Sequence, residues 1–140
     1  MRPTILAASD IDLIPRLRSL KSDGARLIFA TSGRQCLGQL RDLTPELIII
    51  DERLPDSRGS DIASRIKQVP RLKNVPLLML LPEQNSDRFR TEAALIGANA
   101  VLVRPISSAS LRALVGELLG PVAATSPVDA RPPDQPWASG

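Results

Sequence analysis

The sequence predicts a doubly wound α/β sandwich, a parallel sheet covered by helices on both faces. Short apolar segments alternate with stretches of helical periodicity along most of the chain. One of them, Leu47-Ile48-Ile49-Ile50, runs without a polar break into Asp51, which is how a strand buried on both faces of a parallel sheet reads. The turn-rich segment Arg53-Leu54-Pro55-Asp56-Ser57-Arg58-Gly59 follows at once. Open α/β sheets carry their polar sites at the carboxyl ends of such strands.

Thr4 to Ala8 is the first strand, ending at Ser9-Asp10. Asp12 is placed to N-cap the first helix, whose apolar face is Leu13, Leu17 and Leu20. Pro15 is tolerated in its first turn and Gly24 closes it. Arg26 to Thr31 is the second strand. Ser32-Gly33 opens the second helix, which buries Cys36, Leu37 and Leu40. The third strand ends at Asp51. The third helix runs from about Ser60 to Val69 with Ile62, Ile66 and Val69 on one face, and Pro70 stops it. Val75 to Leu81 is the fourth strand. The fourth helix carries Phe89, Ala93 and Ile96, with Gly97 as its C-terminal cap. Ala100 to Val103 is the fifth strand, and the last helix repeats Leu111, Leu114, Val115 and Leu118. Strand-helix units in this number give a (βα)5 three-layer sandwich. Its five-stranded parallel sheet takes the flavodoxin-like order 2-1-3-4-5. This domain is assigned to residues 1–120. From Pro121 the pattern stops, and prolines recur among Ala, Ser, Asp and Gln. Residues 121–140 are expected to form a disordered tail or linker, with Trp137 solvated.

The bulk composition of the 140 residues, 43% hydrophobic and 24% charged, suits one globular domain. No apolar stretch is long enough to span a bilayer and the N-terminus lacks a signal-peptide layout, so a cytoplasmic location with no membrane partner is expected. The lone Cys36 lies inside a helical pattern and reads as a small core residue. The absence of histidine excludes Ser-His and Cys-His nucleophiles, a His-ligated zinc and a histidine phosphocarrier. No Gly-x-Gly-x-x-Gly or Walker loop is present, and an enzyme is not expected. The net charge is +3, and apart from Lys21, Lys67 and Lys73 the basic residues are all arginine. They are interleaved with acids, and two Phe and one Trp offer little for base stacking. This reads as a solvated surface and not as a nucleic-acid interface.

Asp10, Asp51 and Arg104 fall at carboxyl ends of strands. Two carboxylates there make a hard oxygen site suited to Mg²⁺, and a nearby cation could counter a phosphoryl group. Together with Leu54-Pro55…Gly59 and Arg104-Pro105-Ile106, these residues resemble the receiver (CheY-like) domains of two-component response regulators, over residues 4 to 119. The resemblance implies that Asp51 is the phosphoacceptor, with Mg²⁺ held by Asp10, Asp51 and the backbone carbonyl of Arg53. It implies a histidine kinase or phosphotransfer protein as donor and a downstream output protein as target. Helices four and five are the family's usual dimer interface.

Several positions depart from the family pattern. Its acidic pair falls on Ser9 and Asp10. The hydroxyl residue ending strand four falls on Leu81, and the next residue, a backbone N–H donor in the family, is Pro82. The lysine of the Lys-Pro motif falls on Arg104, and the switch aromatic on Val101. These changes predict weak or absent Mg²⁺, an internal Arg104–Asp51 ion pair and a degenerate switch, with signalling independent of phosphorylation. The alternative is a pseudo-receiver acting as a constitutive docking or dimerisation module. Arg53 and Glu83 are expected to flank the pocket mouth.

Overall fold

The strand that reads as buried on both faces is the centre of the sheet. A computed structural model of the chain describes residues 3–9, 14–18, 20 and 24–120. Its elements are β1 (Thr4–Ala8), α1 (Ile14–Leu17), β2 (Arg26–Ala30), α2 (Gly33–Leu40), β3 (Leu47–Asp51), α3 (Gly59–Lys67), β4 (Leu77–Leu81), α4 (Ser86–Ile96), β5 (Ala100–Val103) and α5 (Ser108–Leu119). The five strands are parallel and ordered β2-β1-β3-β4-β5. The predicted fold class is therefore the observed one. The expected tail and Trp137 lie outside the described residues, as do Asp12 and Leu13.

Strand periodicity sorts the core into two layers. Leu6, Ala8, Ile48, Ile50, Leu77, Met79 and Leu81 point to the face packed by Cys36 and Leu40 of α2, Ile62, Ala63 and Ile66 of α3, and Ala93 of α4. Ile5, Ala7, Leu47, Ile49, Leu78 and Leu80 point to the other face, against Leu17 of α1 and Leu111 and Val115 of α5. Ile5, Leu6 and Leu47 through Ile50 are fully buried, each contributing roughly 1.5–3 kcal/mol. Burial also pushes the Cys36 thiol up to about 12, which leaves it an inert core group.

The departures from the expected elements are local. Helix α3 ends at Lys67, and a turn carries the chain on, so Val69 is left exposed instead of extending the apolar face. Strand β4 starts at Leu77, because Val75 and Pro76 precede the ladder. Leu37 is only half-buried on α2. Arg71 closes the C-terminus of α2, donating to the carbonyls of Leu40, Leu43 (3.0 Å) and Arg41 (3.3 Å), groups with no partner inside the helix.

Two glycines behave in opposite ways. A Cβ on Gly59, at the start of α3, would lie 2.2 Å from the backbone oxygen of Asp51. The helix can begin against the end of β3 only because nothing is there. A Cβ on Gly38, in the middle of α2, would meet nothing within 4 Å. Gly59→Ala is accordingly expected to cost about 2 kcal/mol or more in urea unfolding. Gly38→Ala should be neutral or stabilising by up to about 1 kcal/mol, since glycine is a poor helix former.

Candidate functional site

The sheet register fixes what meets at its carboxyl edge. Asp51 pairs with Leu80 across β3 and β4, the Ser9 N–H donates to Ala30 at 3.1 Å, and the Arg104 N–H donates to Leu81 at 2.9 Å. Ser9, Asp51, Leu81 and Arg104 therefore stand at neighbouring strand ends. Asp51 has no exposed surface, and Ser9 is also buried. The Ser9 hydroxyl donates to Asp51 Oδ2 at 3.0 Å, and the Arg53 N–H donates to Oδ1 at 3.0 Å. The Arg104 guanidinium donates through Nη2 to Oδ2, forming an ion pair in which the arginine is mostly covered. This is the pair the sequence suggested.

The other positions named from the sequence differ in exposure. Leu81 points into the core and carries no donor, and Pro82 behind it is buried without an N–H. Val101 is half-buried against the same layer. Arg53 is exposed, as is Glu83, and the Arg53 side chain reaches Gln84 Oε1 at 3.5 Å. Asp10 lies outside the described residues.

A divalent cation of the Mg²⁺ kind needs several oxygen ligands in a tight shell. Among the described residues, the edge offers the Asp51 carboxylate, and a guanidinium already occupies its Oδ2. No cluster of three or more acidic, cysteine or histidine side chains suited to a metal occurs among those residues.

The neighbouring loop holds functional geometry that the sequence reading missed. Glu52 is buried. Its Oε1 accepts the Ser60 N–H at 3.0 Å, and its Oε2 accepts Arg58 Nε at 2.8 Å. Arg58 also pairs with Glu92 of α4, and its guanidinium carbon lies 5.6 Å from the Phe89 ring centroid. These acceptors hold the Arg58 charge above its ordinary range. Asp56 reaches back to the N-terminus of α2, accepting the Gly33 N–H at 2.7 Å and the Arg34 N–H at 3.0 Å. Those backbone bonds hold its carboxyl below the usual range. Ser32 caps the same helix through the Gln35 N–H. The Leu-Pro…Gly spacing marked this loop as important but could not name these partners.

The arrangement is a buried carboxylate at the edge of a doubly wound parallel sheet, flanked by a cation and a pinned loop, as in the receiver domains the sequence resembles. Comparison with known proteins agrees. The family profile of the response regulator receiver domain matches residues 12–116, and the chain belongs to that family. It is 29% identical over 122 residues to the phosphate regulon transcriptional regulatory protein PhoB of Rhizobium meliloti, covering 85% of this chain and 53% of that regulator. It is 28% identical over 120 residues to the two-component response regulator ORR3 of Oryza sativa, covering 84% of this chain and 91% of that protein. The chain thus spans about half the length of the first and most of the second. The structure of the chemotaxis response regulator CheY4 of Vibrio cholerae superposes with a TM-score of 0.78 at 22% identity, over 84% of this chain and 99% of that one. Receiver domains act with histidine kinases and output domains in two-component signalling. Among the described residues, no helix is long and apolar enough to cross a membrane.

Arg104→Met should destabilise the domain by about 3 kcal/mol, the low end for breaking a buried pair, because Arg104 keeps some exposure. Asp51→Asn combined with Arg104→Met should cost clearly less than the two single changes summed. Additive costs in urea unfolding would show that the pair is not coupled. Asp56 predicts a pH effect. Its native pKa lies below the ordinary value of 3.8, so its contribution is present above that value and is lost as pH falls through the lowered one. Acid unfolding of Asp56→Ala should lack that component, and its thermal midpoint at pH 7 should sit a few degrees lower.

Proposed function

We infer that this receiver domain uses Asp51 as its phosphoacceptor position and passes its signal on by protein contact, through a switch too weak for phosphorylation to govern. The observation that carries this reading is the Arg104–Asp51 pair, beside a fourth strand that ends in Leu81-Pro82. In phosphoryl transfer, an Asp51 oxygen attacks the donor phosphorus. The P–N bond of a phosphohistidine, or the P–O bond of acetyl phosphate, breaks, and imidazole or acetate leaves. Arg104 must give up Oδ2 and turn to the new phosphoryl oxygens. It neutralises the site before and after, so it contributes little difference between the two states.

The two donors that receiver domains place at Leu81 and Pro82 would have supplied roughly 1.5–3 kcal/mol each. A swing from 1:99 to 99:1 needs roughly 5.5 kcal/mol, so their loss removes most of the driving force. Mg²⁺ binding is weak or absent in this reading. The partners are a histidine kinase or phosphotransfer protein upstream and an output protein downstream. A homodimer through α4 and α5, the family's usual interface, belongs to the same reading. The same ion pair also favours a second reading, a constitutive docking or dimerisation module in which Asp51 is never phosphorylated.

Intact mass after incubation with acetyl phosphate and Mg²⁺ separates the two readings: an added phosphoryl group, absent in Asp51→Asn, supports the first. Amide spectra with beryllofluoride should show shifts around Asp51 but little movement of β4, α4 and β5. Closure of the β4–α4 loop onto the modified aspartate would refute the weak switch. Leu81→Thr with Pro82→Ala is expected to restore movement in α4.

A further inference from the structure

We propose that the groove between α2 and α3 is a docking site for an acidic peptide segment of a partner protein. The site lies apart from Asp51, and its occupancy does not depend on whether Asp51 is phosphorylated.

Arg34, Leu37, Gly38 and Arg41 line one side of a cavity of about 440 Å³, and Ile62 and Arg65 line the other. Arg34, Leu37 and Gly38 of α2 and its C-cap Arg41 follow the i, i+3, i+4, i+7 spacing of one helical face. Arg34, Arg41 and Arg65 are exposed, and none makes an ion pair among the described residues. The groove's own carboxylate, Asp56, has both oxygens on N–H groups of α2. Three arginines therefore line the groove with no acid among the described residues paired to them.

The floor is apolar, made by half-buried Leu37 and buried Ile62. Gly38 leaves it open. Its backbone needs no glycine, since its φ is not positive and a Cβ there meets nothing. Gly38 is unfavourable to a helix and stands where a larger side chain would enter the groove.

These features select among anions. Arg34 and Arg41 stand seven residues apart, about 10 Å along the helix, which is beyond the reach of one inorganic phosphate. No aromatic ring lines the groove, so it lacks the stacking platform of a single-strand nucleic-acid site. A short segment with carboxylates on either side of an apolar residue satisfies both the spread of charge and the floor.

The test uses the full chain, labelled with ¹⁵N, and the capped peptide Glu-Glu-Leu-Leu-Glu-Glu. Amide shifts should be confined to α2 and the first turns of α3. The glutamine analogue of the peptide should not bind, and added salt should weaken the acidic peptide. Gly38→Glu places a carboxylate inside the groove and should weaken the peptide at least about tenfold without lowering the thermal midpoint. Arg65→Glu, on the opposite wall, should do the same, so the result does not rest on one variant. The proposal is overturned if the glutamine peptide binds equally, or if inorganic phosphate alone gives the same shifts and displaces the peptide. Tighter binding of an oligothymidylate, shifts spread over every arginine, or full binding by both variants would also overturn it.

Discussion

A carboxylate without exposed surface governs the carboxyl edge of this sheet. Burying the Asp51 charge is tolerable only where donors replace the lost water. Each donor comes from a different piece of chain: the Ser9 hydroxyl after β1, the Arg53 N–H beyond β3 itself, and the Arg104 guanidinium after β5. One side chain thereby fixes the relative placement of three segments that are remote in sequence. The approach of Gly59 to the Asp51 carbonyl fixes a fourth, because α3 can start there only without a Cβ.

A second buried acid, Glu52, follows immediately and solves the same problem on the other side of the chain. It takes the Ser60 N–H at the start of α3 and the guanidinium of Arg58, which goes on to Glu92 and the Phe89 ring on α4. Arg58 is nearly half exposed, so each contact is worth little energetically. Their combined effect is geometric. The β3–α3 loop is tied to α4 by Arg58 and to α2 by Asp56, while Asp51 ties its base to the sheet.

The fold was legible because its signals are local. Uninterrupted apolar runs mark buried strands, and Gly97 and Ser32 mark helix ends. The strand-end positions of Asp51 and Arg104 follow from those boundaries. The helix count at Val69 failed because periodicity continues past the point where backbone bonding turns, at Lys67. Glu52 and Asp56 were illegible for a different reason. Beside Asp51 and a proline they look like solvated turn acids, and their partners lie 8, 22 and 23 residues away in the chain. Nothing in the spacing of a single sequence announces that a turn carboxylate will cap an earlier helix.

The arginines complete the picture. Arg58, Arg71 and Arg104 are committed to the chain's own acceptors, where a planar fork can reach two or more oxygens at once in a way a lysine cannot. Arg34, Arg41 and Arg65 are committed to none among the described residues and stand around one groove. At the sheet edge the Asp51 charge is thus already paired, while the three arginines on the α2–α3 face have no ion-pair partner among the described residues. In the reading proposed above, a phosphoryl charge added beside an Asp51 already paired with Arg104 finds no donor at Leu81 or Pro82 to draw toward it and has little to move. In that reading the signal passes by surface contact, for which the α2–α3 groove is the proposed site.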